Sequence, residues 1–240
     1  MSYKFEMHFH TVEVSACARV PAAEAAAAYR RAGYAGVVVT DHYAAYNFAR
    51  FPGDWEQKVD AYLTGFRAAK AAGEPLGLTV LLGLELRLDG TEKSGEPVLD
   101  ALRDSINEYL VYGVTEEQLR QYPALYSLNE KELKALAEKL GWFVAQSHPF
   151  RCGMKRCPAA YLDGVEVMNG NPRHDSHNED AAAYCRANGL IGISGSDFHQ
   201  WEDLAIGGLD FTGPVTGSPE LIARLRAGEF VRICEKTSAV

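Results

Sequence analysis

Two histidines that could bind a metal ion lie at the end of the first apolar run of the sequence. His8 and His10 flank Phe9 in the segment YKFEMHFHT. If this run is a β-strand, alternate side chains share a face, so both imidazoles point one way and Phe9 points the other. Neutral imidazole is a common metal ligand and also an ordinary strand residue. The pair alone therefore leaves two interpretations open, the first half of a metal site or a chance pair on a solvated face.

Three other histidines share one position relative to the predicted strands. His42, His148 and His199 come just after the apolar runs in VVVTDH, FVAQSH and ISGSDFH. Active sites of α/β barrels are built at the C-terminal ends of the strands, whereas a solvated or core histidine has no reason to prefer that place. We therefore expect these three imidazoles to converge with the first pair on one metal site.

Carboxylates follow the same pattern. Glu85 ends the run LLGLEL, and Asp197 lies between the last strand and its histidine. Asp41 is expected either to bind metal directly or to orient a histidine that does. Histidine and carboxylate, with no cysteine at these strand ends, suit zinc, manganese or iron. Because the ligands are too many for one ion, we expect two or three ions bridged by Glu85, which would activate water for a displacement at phosphorus.

The elements that must position these residues alternate along the chain. Helices are predicted at residues 21–33, 54–73, 116–121, 129–140, 176–188 and 219–227, with apolar runs between them as strands. The run LTVLLGLEL has almost no polar interruption, as in a parallel strand covered on both faces. The segment RLDGTEKSGEPV is predicted as a polar loop. Six or seven βα units predict an α/β fold, a distorted parallel barrel of the TIM type, with an open doubly wound sheet as the alternative.

Length and composition exclude several classes of protein. The 240 residues suit one barrel domain spanning residues 1–240. The net charge of −8 argues against a protein that grips a nucleic-acid backbone. The five scattered cysteines fit a reducing compartment better than a disulfide framework. Because neither a signal region nor an apolar stretch of bilayer-spanning length is present, we expect a cytoplasmic protein with no membrane partner. The oligomeric state stays open.

The ordered set HFHT, TDH, GLE, SHP and SGSDFH resembles the PHP family, named for its polymerase and histidinol phosphatase members. The resemblance runs from His8 to His199. It implies a distorted (βα)7 barrel with a centre of two or three metal ions and, most often, phosphoester hydrolysis. The implied ligands are His8, His10, Glu85 and Asp197 for the first ion, Glu85 and His148 for the second, and His42 and His199 for the third.

The chain departs from the family pattern at two places. Family members commonly carry an acidic residue in the pattern HxHTxxSD, whereas this chain reads HFHTVEVS, and Glu13 is expected to serve instead. A further histidine usually completes the second site, but none lies between Glu85 and His148. We expect Asn107, with Glu108 as the next choice, or water, to take its place.

Two further side chains are expected to act on the substrate together with Glu85 and Asp197. Arg151 follows SHPF directly, and its guanidinium could bind the oxygens of a phosphate, although a surface cation is the alternative. His177, ahead of His174, is expected to protonate the leaving oxygen. The expected substrate is a small phosphorylated metabolite or nucleotide. Two other functions stay open, a nuclease or phosphodiesterase acting on nucleic acid and a metal-binding module without turnover.

Overall fold

The structure is a computed structural model, and it describes residues 2–89 and 107–234. All but the first three residues of the predicted polar loop RLDGTEKSGEPV therefore lie outside the described residues. Within these ranges, no helix combines the length and the apolar character that crossing a bilayer requires.

The strands form one sheet that curls into a barrel. In chain order the described strands are β1 (Tyr3–Phe9), β2 (Gly36–Val39), β3 (His42–Tyr43), β4 (Thr79–Arg87), β5 (Glu108–Tyr112), β6 (Phe143–Gln146), β7 (Gly164–Asn169), β8 (Ile191–Gly195), β9 (Gly207–Phe211) and β10 (Phe230–Cys234). Their order in the sheet is β10-β9-β1-β2-β4-β5-β6-β7-β8, and β3 pairs with β4.

Helices cover the outside of the sheet. They are α1 (Ala22–Arg31), α2 (Ala45–Arg50), α3 (Trp55–Tyr62), α4 (Thr64–Gly73), α5 (Glu116–Gln121), α6 (Glu130–Leu140), α7 (Asn178–Ala187) and α8 (Ser218–Ala227). The predicted single helix at residues 54–73 is wrong in one respect, because it is interrupted at Leu63. Just after the break, Gly65 packs against Thr11 and Asp41 so closely that a Cβ there would overlap the Thr11 hydroxyl.

The sheet is mixed, which corrects the expectation of a wholly parallel barrel. The ladders β1-β2-β4 and β6-β7-β8 are parallel, but β5 is antiparallel to both β4 and β6. The strand β9 is likewise antiparallel to β1 and β10. Two helices, α5 and α6, separate β5 from β6, so the chain can return to the end of the sheet that it left, and a parallel neighbour is not required.

The barrel closes between β1 and the segment after β8. Phe9 and Phe198 form an isolated parallel bridge, in which Phe198 N donates to His8 O and His10 N donates to Phe198 O, both at 3.0 Å. Gly195 allows this approach, because a Cβ there would stand 2.5 Å from the Cβ of His8. The closure therefore ties the histidine pair of β1 to the loop that carries Asp197.

Strand β1 contains a bulge that precedes the site. Relative to β2, one extra residue lies between Glu6 and Phe9. The backbone N–H groups of Met7 and His8 both donate to Glu6 Oε1 at 2.9 Å. The carboxyl of Glu6 thus satisfies backbone groups that a bulge removes from the ladder. Phe9 packs against Tyr29 on the helix side, while the two histidines face the other way, as the alternation predicts.

Candidate metal centre

Five histidines and three carboxylates converge at one end of the barrel. They are His8, His10, His42, His148, His199, Glu85, Glu108 and Asp197, and their ligand atoms form four groups of three within 4.8 Å of one another. All lie at or just beyond the C-terminal ends of the parallel strands, except Glu108. Glu108 begins β5, and because β5 is antiparallel its first residue lies at this same end of the sheet.

Glu85 is at the centre of the cluster and almost fully buried. Its Oε1 lies 3.2 Å from His8 Nε2 and 3.1 Å from His148 Nε2. Its Oε2 lies 3.3 Å from His10 Nε2 and 2.9 Å from His42 Nδ1. One carboxylate therefore faces two pairs of histidines, each pair through a different oxygen.

Asp197 also lies close to the first histidine pair. Its Oδ1 lies 3.4 Å from His8 Nε2, 3.5 Å from His10 Nε2 and 3.4 Å from His199 Nδ1. Both Asp197 and His148 follow a strand in the left-handed backbone region, at φ 52° and 26°. Such conformations are costly for residues other than glycine, and they concentrate at functional sites.

The residues present fit divalent metal ions. His8 Nε2, His10 Nε2 and His42 Nδ1 are buried and make no hydrogen bond with any described residue, although a Glu85 oxygen lies within 3.3 Å of each. For His8 and His10, nitrogens and oxygens that are close but not aligned for hydrogen bonding are what a shared ion between them requires. Buried carboxylates also need a compensating cation, and an imidazole–carboxylate set suits zinc, manganese or iron.

The two central carboxyls are held in the form that binds cations. Burial raises the pKa of Glu85, but the imidazoles of His8 and His42 outweigh burial and keep this pKa well below its usual range. For Asp197, burial is likewise outweighed by the charge of His8 and by the nearby His10 ring, so its pKa also falls well below the usual range. Both side chains are therefore carboxylates at neutral pH.

A second layer of hydrogen bonds orients the histidine rings. Glu166 Oε1 contacts His8 Nδ1 at 2.9 Å, and its Oε2 accepts from His148 N at 3.0 Å and from Asn169 Nδ2 at 2.9 Å. A partner on one ring nitrogen fixes which nitrogen faces the centre. Glu166 received no role from the sequence, although its place near the end of GVEVMN was the available signal.

The hydrogen bonds of Asp41 favour the second of its two expected alternatives, the orientation of a histidine. Its oxygens accept from Thr11 N, Thr11 Oγ1 and Ser15 Oγ, each at 2.7 Å. Ser15 Oγ in turn contacts His10 Nδ1 at 3.1 Å. Asp41 thus acts on the ring of His10 through Ser15.

Glu13 is not part of the cluster, contrary to the expectation from the sequence. Both of its carboxylate oxygens accept from Ala22 N, at 3.0 and 3.1 Å. Helix α1 begins after Pro21, whose side chain provides no capping hydrogen bond. The free N–H groups and positive end of the helix dipole attract the carboxylate instead.

Asn107 is also not the residue that faces the histidines. Its Nδ2 donates to Glu130 Oε1 at 3.0 Å, which links it to helix α6. The next residue, Glu108, points into the cluster, with Oε2 3.7 Å from His148 Nε2. Burial and the nearby Glu85 carboxylate raise the pKa of Glu108, so a cation would stabilise its ionised form.

Cys17 is a further member of the site that sequence reasoning missed. Its Sγ lies 3.2 Å from His42 Nε2. Burial raises the pKa of the thiol, but hydrogen bonds with His199 and His42 outweigh burial and lower this pKa to about 5. The available signal was its position in the loop that directly follows HFHT.

A cavity of about 260 Å³ opens over the cluster. Arg151 anchors one edge of its guanidinium there, because Nη2 donates to Asp197 Oδ2 at 2.9 Å and to Asn169 Oδ1 and Ser176 Oγ at 3.0 Å. Its Nη1 makes no hydrogen bond with the described part of the chain. The residues that line the cavity are Cys17, His42, Glu85, Glu108, His148, Arg151, Asn171, Arg173, His174, Asp197 and His199.

His177 does not line this cavity, contrary to its expected role. It precedes α7 with a left-handed backbone, and its half-exposed ring lies 3.6 Å from Asp175 and 3.8 Å from Asp180. His174, the less favoured of the two histidines, is the one in the cavity wall. Burial and the neighbouring Arg151 lower the pKa of His174.

Comparison with solved structures identifies the fold. No family model matches the sequence, and no curated protein matches it either. A two-domain protein from Bacteroides vulgatus that contains a predicted PHP-like metal-dependent phosphoesterase aligns with a TM-score of 0.66 at 16% identity, over 98% of this chain. This chain spans 65% of that protein's chain.

Two further structures align with it. PsfC from Pseudomonas syringae has a TM-score of 0.61 at 15% identity, over 94% of both chains. A putative metal-dependent phosphoesterase from Bifidobacterium adolescentis has a TM-score of 0.50 at 16% identity, over 82% of this chain and 87% of that one. Likeness at these identities identifies the architecture. The expected distorted, TIM-like barrel is confirmed, and the chain has a PHP-like fold.

Proposed function

We propose that this protein is a metal-dependent phosphoesterase that hydrolyses a small phosphorylated substrate. The observation that carries the proposal is that candidate metal ligands and Arg151 line the same cavity. In its wall, the guanidinium of Arg151 lies beside the carboxylate of Asp197. A phosphate bound there would meet cations on one side and a guanidinium on the other. That pairing is what stabilises the charge of phosphoryl oxygens during displacement.

The ligand sets follow from the contacts around Glu85. His8, His10, Glu85 and Asp197 would hold one ion, and Glu85, His148 and Glu108 a second, while His42 and His199 stand at a third position nearer the mouth. Divalent ions at such positions supply activation of water at neutral pH and stabilisation of the attacking and leaving oxygens. Glu166, Ser15 and Asp41 would keep the imidazoles oriented.

Arg151 would bind the phosphate through the edge that the protein leaves free. Its Nη2 is occupied by three acceptors, which fixes the plane of the guanidinium. The Nη1 edge then presents donors without further loss of side-chain entropy. Arg173 is held by Asp203, whose Oδ2 accepts from Nη2 at 2.8 Å, and adds a second positive charge to the same wall. His174 replaces His177 as the imidazole beside a bound ester.

The size of the cavity and the charge of the chain favour a small substrate over nucleic acid. A cavity of about 260 Å³ lies just below the range of typical small-molecule sites, which is roughly 300–1,000 Å³. The net charge of −8 opposes binding of a long polyanion, which requires clustered cations along its path.

A substrate panel tests the proposal. Protein loaded separately with zinc, manganese or iron(II) is assayed for phosphate release from phosphomonoesters and nucleotides, with bis(p-nitrophenyl) phosphate and a single-stranded oligonucleotide as diester substrates. We expect turnover of one or more monoesters that is lost in Glu85→Gln and kept in Glu117→Gln, a matched change at an exposed position on α5.

The other outcomes decide between the alternatives. Degradation of the oligonucleotide without monoester turnover would identify a nuclease. Metal bound in stoichiometric amounts, with no hydrolysis of any ester above the rate in buffer, would identify a binding module and refute the proposal.

A further inference from the structure

Cys17 stands between two histidines at the mouth of the cavity. It lies in the loop between β1 and α1, with Sγ 3.2 Å from His42 Nε2 and with His199 in the same cavity wall. All three residues line the cavity. The first metal position has its two carboxylates, but the position nearer the mouth has only imidazoles among the ligands considered above.

The ring of His42 is oriented so that it can bind an ion on the side that faces Cys17. Its Nδ1 lies 2.9 Å from Glu85 Oε2, and its Nε2 faces the thiol on the other side of the ring. A histidine that binds metal usually offers one nitrogen to the ion and directs the other to a carboxylate. With Glu85 on the Nδ1 side, the nitrogen left for an ion is the one beside Cys17.

A second observation points to an ion at the same place. His10 is fully buried, and its Nε2 has no hydrogen-bond partner among the described residues. One nitrogen each of His10, His42 and His199 lie within 4.8 Å of one another. Oxygens of Glu85 and Asp197 lie on the inner side of these three imidazoles. The thiol of Cys17 lies against His42 on the cavity side.

We propose that Cys17 is a thiolate ligand of a metal ion at this outer position, together with His42 and His199. The proposal rests on the metal centre described under the proposed function. A sulfur at about 2.3 Å and an imidazole nitrogen at about 2.0–2.1 Å from one tetrahedral ion stand roughly 3.5 Å apart. The 3.2 Å between Cys17 Sγ and His42 Nε2 needs only a small opening to reach that spacing.

A thiolate at this position changes which metal it prefers. The sulfur binds the ion as a thiolate, and a proton still present on it passes to solvent. Thiolate is a soft ligand that favours zinc over manganese or magnesium, whereas carboxylate and water favour the latter. The outer position is therefore a zinc-selective site, while the inner positions around Glu85 have the mixed imidazole and carboxylate set that also accepts manganese.

Cobalt(II) titration of the metal-free protein tests the proposal without measuring turnover. Cobalt bound to thiolate gives a charge-transfer absorption in the near ultraviolet, which cobalt bound only to nitrogen and oxygen lacks. We expect this absorption in the wild-type protein and in a Cys152→Ser/Cys234→Ser control, which removes the other exposed thiols. Cys17→Ser should lose it and bind one cobalt ion fewer.

A second variant keeps the test decisive if serine disturbs the loop. Cys17→Asp should restore the lost ion while leaving the charge-transfer absorption absent, because it exchanges sulfur for oxygen. In the Cys152→Ser/Cys234→Ser protein, zinc should also protect Cys17 from labelling by a thiol reagent. Unchanged absorption in Cys17→Ser, or labelling that zinc does not slow, would overturn the proposal. Absence of phosphoesterase activity with the absorption present would leave the ligand assignment intact and refute only the proposed function.

Discussion

Replacement of Arg151 by methionine removes the guanidinium from the cavity wall while keeping a side chain of similar length. In the wild-type protein, Nη2 of Arg151 is committed to Asp197, Asn169 and Ser176, and Nη1 is the edge that can reach a phosphate. The variant therefore loses the charged hydrogen bonds that only the bound phosphate receives. We expect a slower reaction with unchanged architecture of the metal ligands.

The magnitude follows from the number and type of these bonds. A hydrogen bond between a charged donor and its acceptor contributes about 1.5–3 kcal/mol, which corresponds to a roughly 13- to 150-fold loss in kcat/KM. Asp197 should keep its position, because its Oδ2 also accepts from Asn169 Nδ2 at 3.2 Å. Metal content is therefore expected to stay at the wild-type level, so the loss can be assigned to the substrate.

The assay compares kcat/KM for p-nitrophenyl phosphate with the metal content of each sample. Arg156→Met is the matched control, because Arg156 is exposed on the same loop and stacks on the Phe150 ring outside the residues that line the cavity. Arg151→Lys keeps the charge but not the planar fork, and it should recover part of the rate. A kcat/KM for Arg151→Met within twofold of wild type, at equal metal content, would refute the role of Arg151 in phosphate binding.

Three further changes separate the metal centre from its surroundings. Glu13→Ala should lower the free energy of unfolding by about 1 kcal/mol, measured by urea denaturation, because helix α1 loses its N-terminal acceptor; a drop in metal content would show instead that Glu13 is a ligand. Gly195→Ala should destabilise by about 1–3 kcal/mol through overlap with His8 where the barrel closes, and an unchanged melting temperature would contradict that closure. Chelation of the metals should lower the melting temperature by roughly 5–10 °C, since ions at 100 times their dissociation constant contribute about 2.7 kcal/mol; equal melting curves with and without chelator would argue against bound ions.

The sequence predicted the histidines of the cluster because their signal is local. Each follows an apolar run, and parallel strands bring their C-terminal ends to one edge of the sheet whatever the connections between them are. The bounds of helix α6, predicted at residues 129–140, depend on local signals in the same way, since Asn129 accepts from Glu132 N and Gly141 ends the helix in a left-handed conformation. Patterns of this kind depend on a few neighbouring residues, so they do not change with the path of the rest of the chain.

The direction of β5 could not be predicted in this way. The apolar run around residues 108–112 has the same composition whether it runs with or against its neighbours. Its direction depends on the path of the chain before and after it. Because β5 is antiparallel, the start of the strand lies beside the ends of the others, and Glu108 reaches His148 from a position where a parallel barrel has no ligand.

The loop after β1 shows a second limit of prediction from sequence. Three of its polar side chains, Glu13, Ser15 and Cys17, lie within five positions and have different contacts. Val14 N and Ser15 N both donate to Thr11 O, and this turn directs the Ser15 hydroxyl toward His10. Glu13 binds the start of α1. Cys17 reaches His42 from the far side of the turn. A motif predicts that a ligand follows the histidine pair, but the hydrogen bonds of the turn select which side chain faces the ions. In this chain they select a thiol where the family pattern has a carboxylate, so the metal preference of the outer position follows from the path of one loop.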